Sequence, residues 1–141
     1  MNRGMRRTVL LDLNLFLGVT AVAGGVALLT GWIKMPLSSL AGSPFSDYTV
    51  PAILLVGAVG GTALLAAWLV HLKLSVGVPA SVVAGAAIMV YEIVEWSVIG
   101  FAWLQAAYMA IGVLIIGVAI WVRLAQVSGR AERQGSPHAI H

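Results

Sequence analysis

Four long, mostly apolar runs, at residues 8–30, 50–70, 75–96 and 102–122, decide what this chain of 141 residues can fold into. Each approaches or exceeds the roughly 20 residues that a helix needs to cross a hydrocarbon core about 30 Å thick. They take up more than half of the sequence, so no stretch is left from which a separate water-soluble core could be built. Hydrophobic residues make up 60% of the chain and charged residues 9%, a balance that suits a bilayer and not water. Barrel strands are short and alternate, whereas these runs are continuous and rich in Gly, Ala, Leu and Val. The expected fold class is therefore all-α, an integral membrane bundle of four antiparallel transmembrane helices. Residues 1–124 form that domain and residues 125–141 a polar cytoplasmic tail. The chain has no cysteine, which excludes disulfides and thiolate chemistry.

Basic side chains set the orientation. Arg3, Arg6 and Arg7 precede the first span, Lys73 sits in the second loop, and Arg123, Arg130 and Arg133 follow the fourth span. Only Lys34, in the first loop, falls on the other side. With both termini in the cytoplasm, seven of the eight basic residues stay inside, as the positive-inside rule requires. The net charge of +3 follows from these flanks and is no sign of nucleic-acid binding. Tryptophans favour the headgroup level, and all five agree with the span limits: Trp32, Trp96 and Trp103 at outer ends, Trp68 and Trp121 at inner ends. Arg6-Arg7, the apolar run and Ala21-Val22-Ala23 look like a signal peptide. Asp12 and Asn14 interrupt the run, however, and it continues to Leu29, so it reads as a retained span. The expected location is the inner (cytoplasmic) membrane, multi-pass.

The first loop holds Pro36, Ser38, Ser39, Gly42, Ser43, Pro44 and Asp47 among Trp32, Leu37, Leu40 and Phe45. This mixture predicts a segment folded back on the outer surface, with a short turn around residues 36–40. Asp47 or Thr49 is placed to cap the second helix. The second and third loops are tight, the latter near Gly100. Small residues recur at four-residue spacing: Ala21 with Gly25, Gly57 with Gly61, Ser81 with Gly85, and Ala106 with Ala110. Such spacing lets helix backbones meet in lipid, either within the chain or, at Gly57 and Gly61, with another chain. The run from Gly57 to Gly61 is no phosphate loop, since no Lys-Ser/Thr follows.

Chemistry is sparse. Glu92 and Glu95 lie one turn apart near the outer end of the third span, where a carboxylate costs less than at the bilayer centre. Gln105 and Tyr108, just inside the fourth span, are placed to complete an acidic site that holds a cation or shares a proton. The alternative is a pair of interfacial glutamates, hydrated or paired with Lys34. Asp12 and Lys73 form a second candidate ion pair, on the cytoplasmic side. His71 has no second strong ligand near it, so no cofactor or metal is expected, and no catalytic triad or zinc signature is present.

Ser43-Pro-Phe-Ser-Asp-Tyr-Thr-Val-Pro51, Glu95-Trp-Ser-Val-Ile-Gly100 and Trp103-Leu-Gln105 resemble stretches of a group of small bacterial four-span membrane proteins. The layout is also similar to that of DoxX-like four-span proteins. The resemblance implies a four-helix fold and supplies no activity. The function expected from the residues is that of a non-enzymatic accessory, scaffold or assembly subunit, packing as a homo-oligomer or within a larger membrane complex. The alternative is a small oligomeric channel or transporter with Glu92 and Glu95 at its mouth. Reporter fusions and accessibility labelling should find both termini in the cytoplasm; an N-terminus on the far side, or fewer than four crossings, contradicts this topology.

Overall fold

The computed structural model describes residues 3–33, 36–99 and 103–135, and among them it is all-helical, with no strand. Four helices are long and apolar enough to cross a membrane: α1 (Arg3–Leu29), α2 (Thr49–His71), α3 (Gly77–Ile99) and α4 (Trp103–Gly135). A single 3₁₀ turn, Leu37–Leu40, lies in the first loop, and Leu40 is buried. Large apolar side chains such as Phe16, Val19, Leu65, Val83, Val90 and Leu114 point outwards and are exposed, as lipid-facing positions of a membrane helix are.

Helix ends follow local chemistry. Gly31 leaves α1 with φ 75°, and its N–H donates to Leu28. Asp47 Oδ1 accepts from the Thr49 N–H at 3.0 Å, which satisfies one of the free donors at the start of α2. At the end of α2, Lys73 takes up the left-handed conformation (φ 59°). Its N–H donates to Val70 O, and the Leu74 N–H donates to Leu69 O. This is a Schellman closure with lysine where glycine is usual. It folds the chain back at once, and the backbone of Gly77 lies against Val70.

Two features depart from the sequence reading. In α2, residues Leu55–Gly61 form a π-helical stretch between two α-helical ones, a local widening that is frequent at functional sites. And α4 runs to Gly135, so that residues 125–135 of the expected polar tail continue the last helix. Leu124, Ala125, Gln126, Arg130, Glu132 and Arg133 are mostly good helix formers, and Gly129 is buried. The Gly100 turn lies outside the described residues.

Two glycine seams hold the helices together. A Cβ on Gly85 would lie 2.9 Å from Gly112 O, and one on Gly112 would lie 3.0 Å from Gly85 O, so α3 and α4 touch backbone to backbone. Between α1 and α2, Gly18 sits against Leu64, Gly60 against Val22, and Gly25 against Ala52 and Val56. Leu10, Leu17, Val59, Ala63, Ile88, Ile115 and Ala119 fill the core between the seams. Gly85→Val should cost about 1–3 kcal/mol of stability through overpacking. Gly117→Val, at a position open to its surroundings, should cost far less. Reversible unfolding in mixed micelles checks this, and equal losses would contradict the seam.

Candidate functional site

Helix α3 presents two faces. Gly77, Ser81, the adjacent Ala84 and Gly85, Ile88 and Glu92, which recur at helical spacing, face the core and are buried. Val83, Ala87, Val90, Tyr91, Val94 and Glu95 turn towards an apolar groove. The two glutamates therefore share one end of the helix but not one environment. Glu92 is 4% exposed, and its Oε2 has no hydrogen-bond partner. Glu95 is half-buried and is hydrogen-bonded by the Gln105 side chain of α4. Tyr108, also on α4, packs half-buried against the core. The structure thus brings Glu95 and Gln105 together, with Glu92 one turn away. Lys34 lies outside the described residues.

A second polar group sits deeper in the core. Asn14 is fully buried, and its Nδ2 donates to Leu10 O at 3.0 Å and to Ser81 Oγ at 2.9 Å. Ser81 in turn donates to Gly77 O at 2.7 Å. Asn14 Oδ1 is left without a partner. Sequence reading placed Asn14 only as a neighbour of Asp12 and Ser81 only as a small packing residue, because nothing in the sequence says that they meet. On α3, Ala84, Gly85 and Ile88 separate Ser81 from Glu92, an interval of roughly 16 Å at the α-helical rise. The core around that interval includes the fully buried Leu17 and Ile115.

The other candidates lie apart. Asp12 and Lys73 are both exposed, and no ion pair joins them. Ala21, Gly25, Ser81 and Gly85 are buried in the helix contacts, whereas Gly57 and Gly61 face outwards with nothing near them. Ala106 and Ala110 are also exposed. Tyr91, which sequence reading passed over, donates from its hydroxyl to Pro51 O at 3.1 Å and so ties α3 to the start of α2. Arg6 lies 4.1 Å over the ring of Trp121, joining the start of α1 to α4. His71 is exposed, its ring 6.0 Å from that of Trp68.

No family model, curated protein or solved structure matches this chain. Its function must be argued from its own geometry. Two carboxyl groups, one buried with an unpartnered oxygen and one held by an amide, provide a place for a proton or a cation. Glu92→Met removes the buried carboxyl at similar volume. Because an unpartnered buried oxygen costs more than an apolar replacement, stability should hold or rise by about 1 kcal/mol. A loss above that size in the same unfolding measurement would show that Glu92 is a structural tie.

Proposed function

We propose that this protein is a non-enzymatic subunit of the inner (cytoplasmic) membrane, with four antiparallel spans and both termini in the cytoplasm. In this reading it serves as a scaffold or assembly component, in a homo-oligomer or in a larger membrane complex. The contact register supports the antiparallel course, since Gly18 lies against Leu64 while Gly25 lies against Ala52. The distribution of basic residues supports the orientation.

One observation carries the role. Gly18, Gly25, Gly60, Gly85 and Gly112 are each closed against a neighbouring helix, but Gly57 and Gly61 form an open glycine face in the middle of a span. In lipid, such a face is where another helix can approach closely, through van der Waals contact and weak Cα–H···O bonds. The π-helical stretch that contains both residues turns Gly60 into the bundle and leaves Gly57 and Gly61 outside.

The channel or transporter reading keeps one supporting observation, the buried and unpartnered Glu92 Oε2 beside Glu95. Against it, the core face of α3 between Glu92 and Ser81, formed by Ala84, Gly85 and Ile88, is apolar, which offers a proton no relay there. Native electrophoresis and identification of co-purifying chains in mild detergent decide between the two. The wild type should run as an assembly, and Gly57→Leu with Gly61→Leu should reduce it to the single chain. A wild type that is monomeric without partners contradicts the proposal. So does an ion flux in liposomes that is lost in Glu92→Gln with Glu95→Gln while the assembly stays intact.

A further inference from the structure

Helices α2 and α3 are joined tightly at one end and splay apart at the other. From the Lys73 closure, α3 packs closely along Thr62–His71, makes few contacts with Leu55–Gly61, and makes almost none with Thr49–Leu54. The side chains facing the widening gap are small or apolar: Ala58, Val83, Ala86, Ala87 and Val90 do not reach across to fill it. Leu40, Phe45 and Tyr48 of the first loop roof the open end, and the Tyr91 hydrogen bond to Pro51 O spans it. What remains is a groove of about 460 Å³, inside the range of about 300–1,000 Å³ typical of small-molecule sites.

Its shape and chemistry specify an occupant. From Glu95 down to Val83 the groove follows α3 for roughly 18 Å at 1.5 Å per residue, close to the depth of one leaflet of a hydrocarbon core about 30 Å thick. A single extended hydrocarbon chain fits that length. Among the described residues, the lining at the roofed end contains one carboxyl group, Glu95, and no Lys, Arg or His. The two phenols of that region already donate within the protein, Tyr48 to Pro36 O at 3.0 Å and Tyr91 to Pro51 O. A phosphate head would find no cationic partner among the described residues of this lining and would face a carboxylate. A cationic head would find its counter-charge.

We propose that the groove between α2 and α3 binds a single-chain amphiphile with an ammonium head. Its chain lies along Val90, Val83 and Ala58, and its head meets the Glu95 carboxylate. The site is separate from the Gly57 and Gly61 face, since neither glycine lines the groove. Disrupting assembly through that face should leave binding unchanged, so failure of one proposal does not imply failure of the other.

The test uses the full chain in phosphatidylcholine nanodiscs at mildly alkaline pH. The probes are hexadecyl chains carrying a nitroxide, headed by trimethylammonium, phosphocholine or carboxylate. Electron paramagnetic resonance measures the fraction of each probe whose chain is immobilised by the protein. The ammonium probe should be preferred by about fivefold, the size of a partly exposed ion pair. Glu95→Gln should abolish the preference, and Ala87→Phe, which fills the groove, should remove the immobilised fraction for all three probes. Should Glu95→Gln fail to fold, displacement from the wild type by unlabelled hexadecyltrimethylammonium but not by hexadecyl sulfate gives the same reading. Equal association of the probes, or a preference that survives in folded Glu95→Gln, overturns the proposal. Preference for the phosphocholine head overturns it in favour of an ordinary phospholipid.

Discussion

Lipid tails are as apolar as leucine, so burying leucine between helices brings this chain little of the driving force that folds a protein in water. What does hold spans together in that medium is contact between atoms, and contact is closest where backbones themselves meet. The bundle depends on this at two places. Gly85 and Gly112 each occupy the space that the other's side chain would need, and Gly18, Gly25 and Gly60 bring α1 and α2 together in the same way. The hydrogen bond from Asn14 to Ser81 adds a directional tie between α1 and α3.

The rest of the molecule follows from where those seams lie. α3 is committed to α4 through Gly85 and to the core through Ile88, and α2 is committed to α1 through Gly60. Each of the two helices is thus held on its far side by a different partner. Beyond the Lys73 closure they diverge, and the apolar groove is the space between two separately anchored pairs. Glu95 stands at the groove and Glu92 in the core because three residues leave their side chains about 60° apart around the helix and about 4.5 Å apart along it, on either side of the boundary between the core face and the groove face.

Much of this architecture was legible in the sequence, because a bilayer imposes length and polarity directly on each span. The apolar runs locate four helices to within a few residues, apart from the extensions at Arg3 and Gly135, and the short turn before Leu40 is where the loop composition places it. All five tryptophans are exposed, Trp32 in the first loop, Trp68, Trp96 and Trp103 near helix ends, and Trp121 inside α4 where the apolar run gives way to the polar tail. Which side of a helix faces inwards was harder to read. The run Gly57-Ala-Val-Gly-Gly contains two candidate faces one residue apart. Four-residue spacing singles out Gly57 with Gly61, while the structure buries Gly60 and leaves those two open. The π-helical stretch alters the register there, and no residue pattern announces it. Gly18 and Gly112 were missed because each meets its partner on a different helix, and spacing within one helix says nothing about that. The Asn14–Ser81 and Tyr91–Pro51 contacts, 67 and 40 residues apart in sequence, are invisible for the same reason.

The seam between α1 and α2 is open to direct measurement, because the chain contains no cysteine of its own. A Cβ placed on Gly60 would lie 2.7 Å from Cγ2 of Val22, with every other neighbour at ordinary contact distance. Val22→Cys with Gly60→Cys therefore sets one sulfur where a disulfide partner's sulfur belongs. Oxidised in native membranes, then dissolved in denaturing detergent and treated with a polyethylene-glycol maleimide, this pair should resist labelling, while Val22→Cys with Gly61→Cys should label at both positions. If the 22/60 pair stays fully reactive, α1 and α2 do not meet at backbone distance in the bilayer.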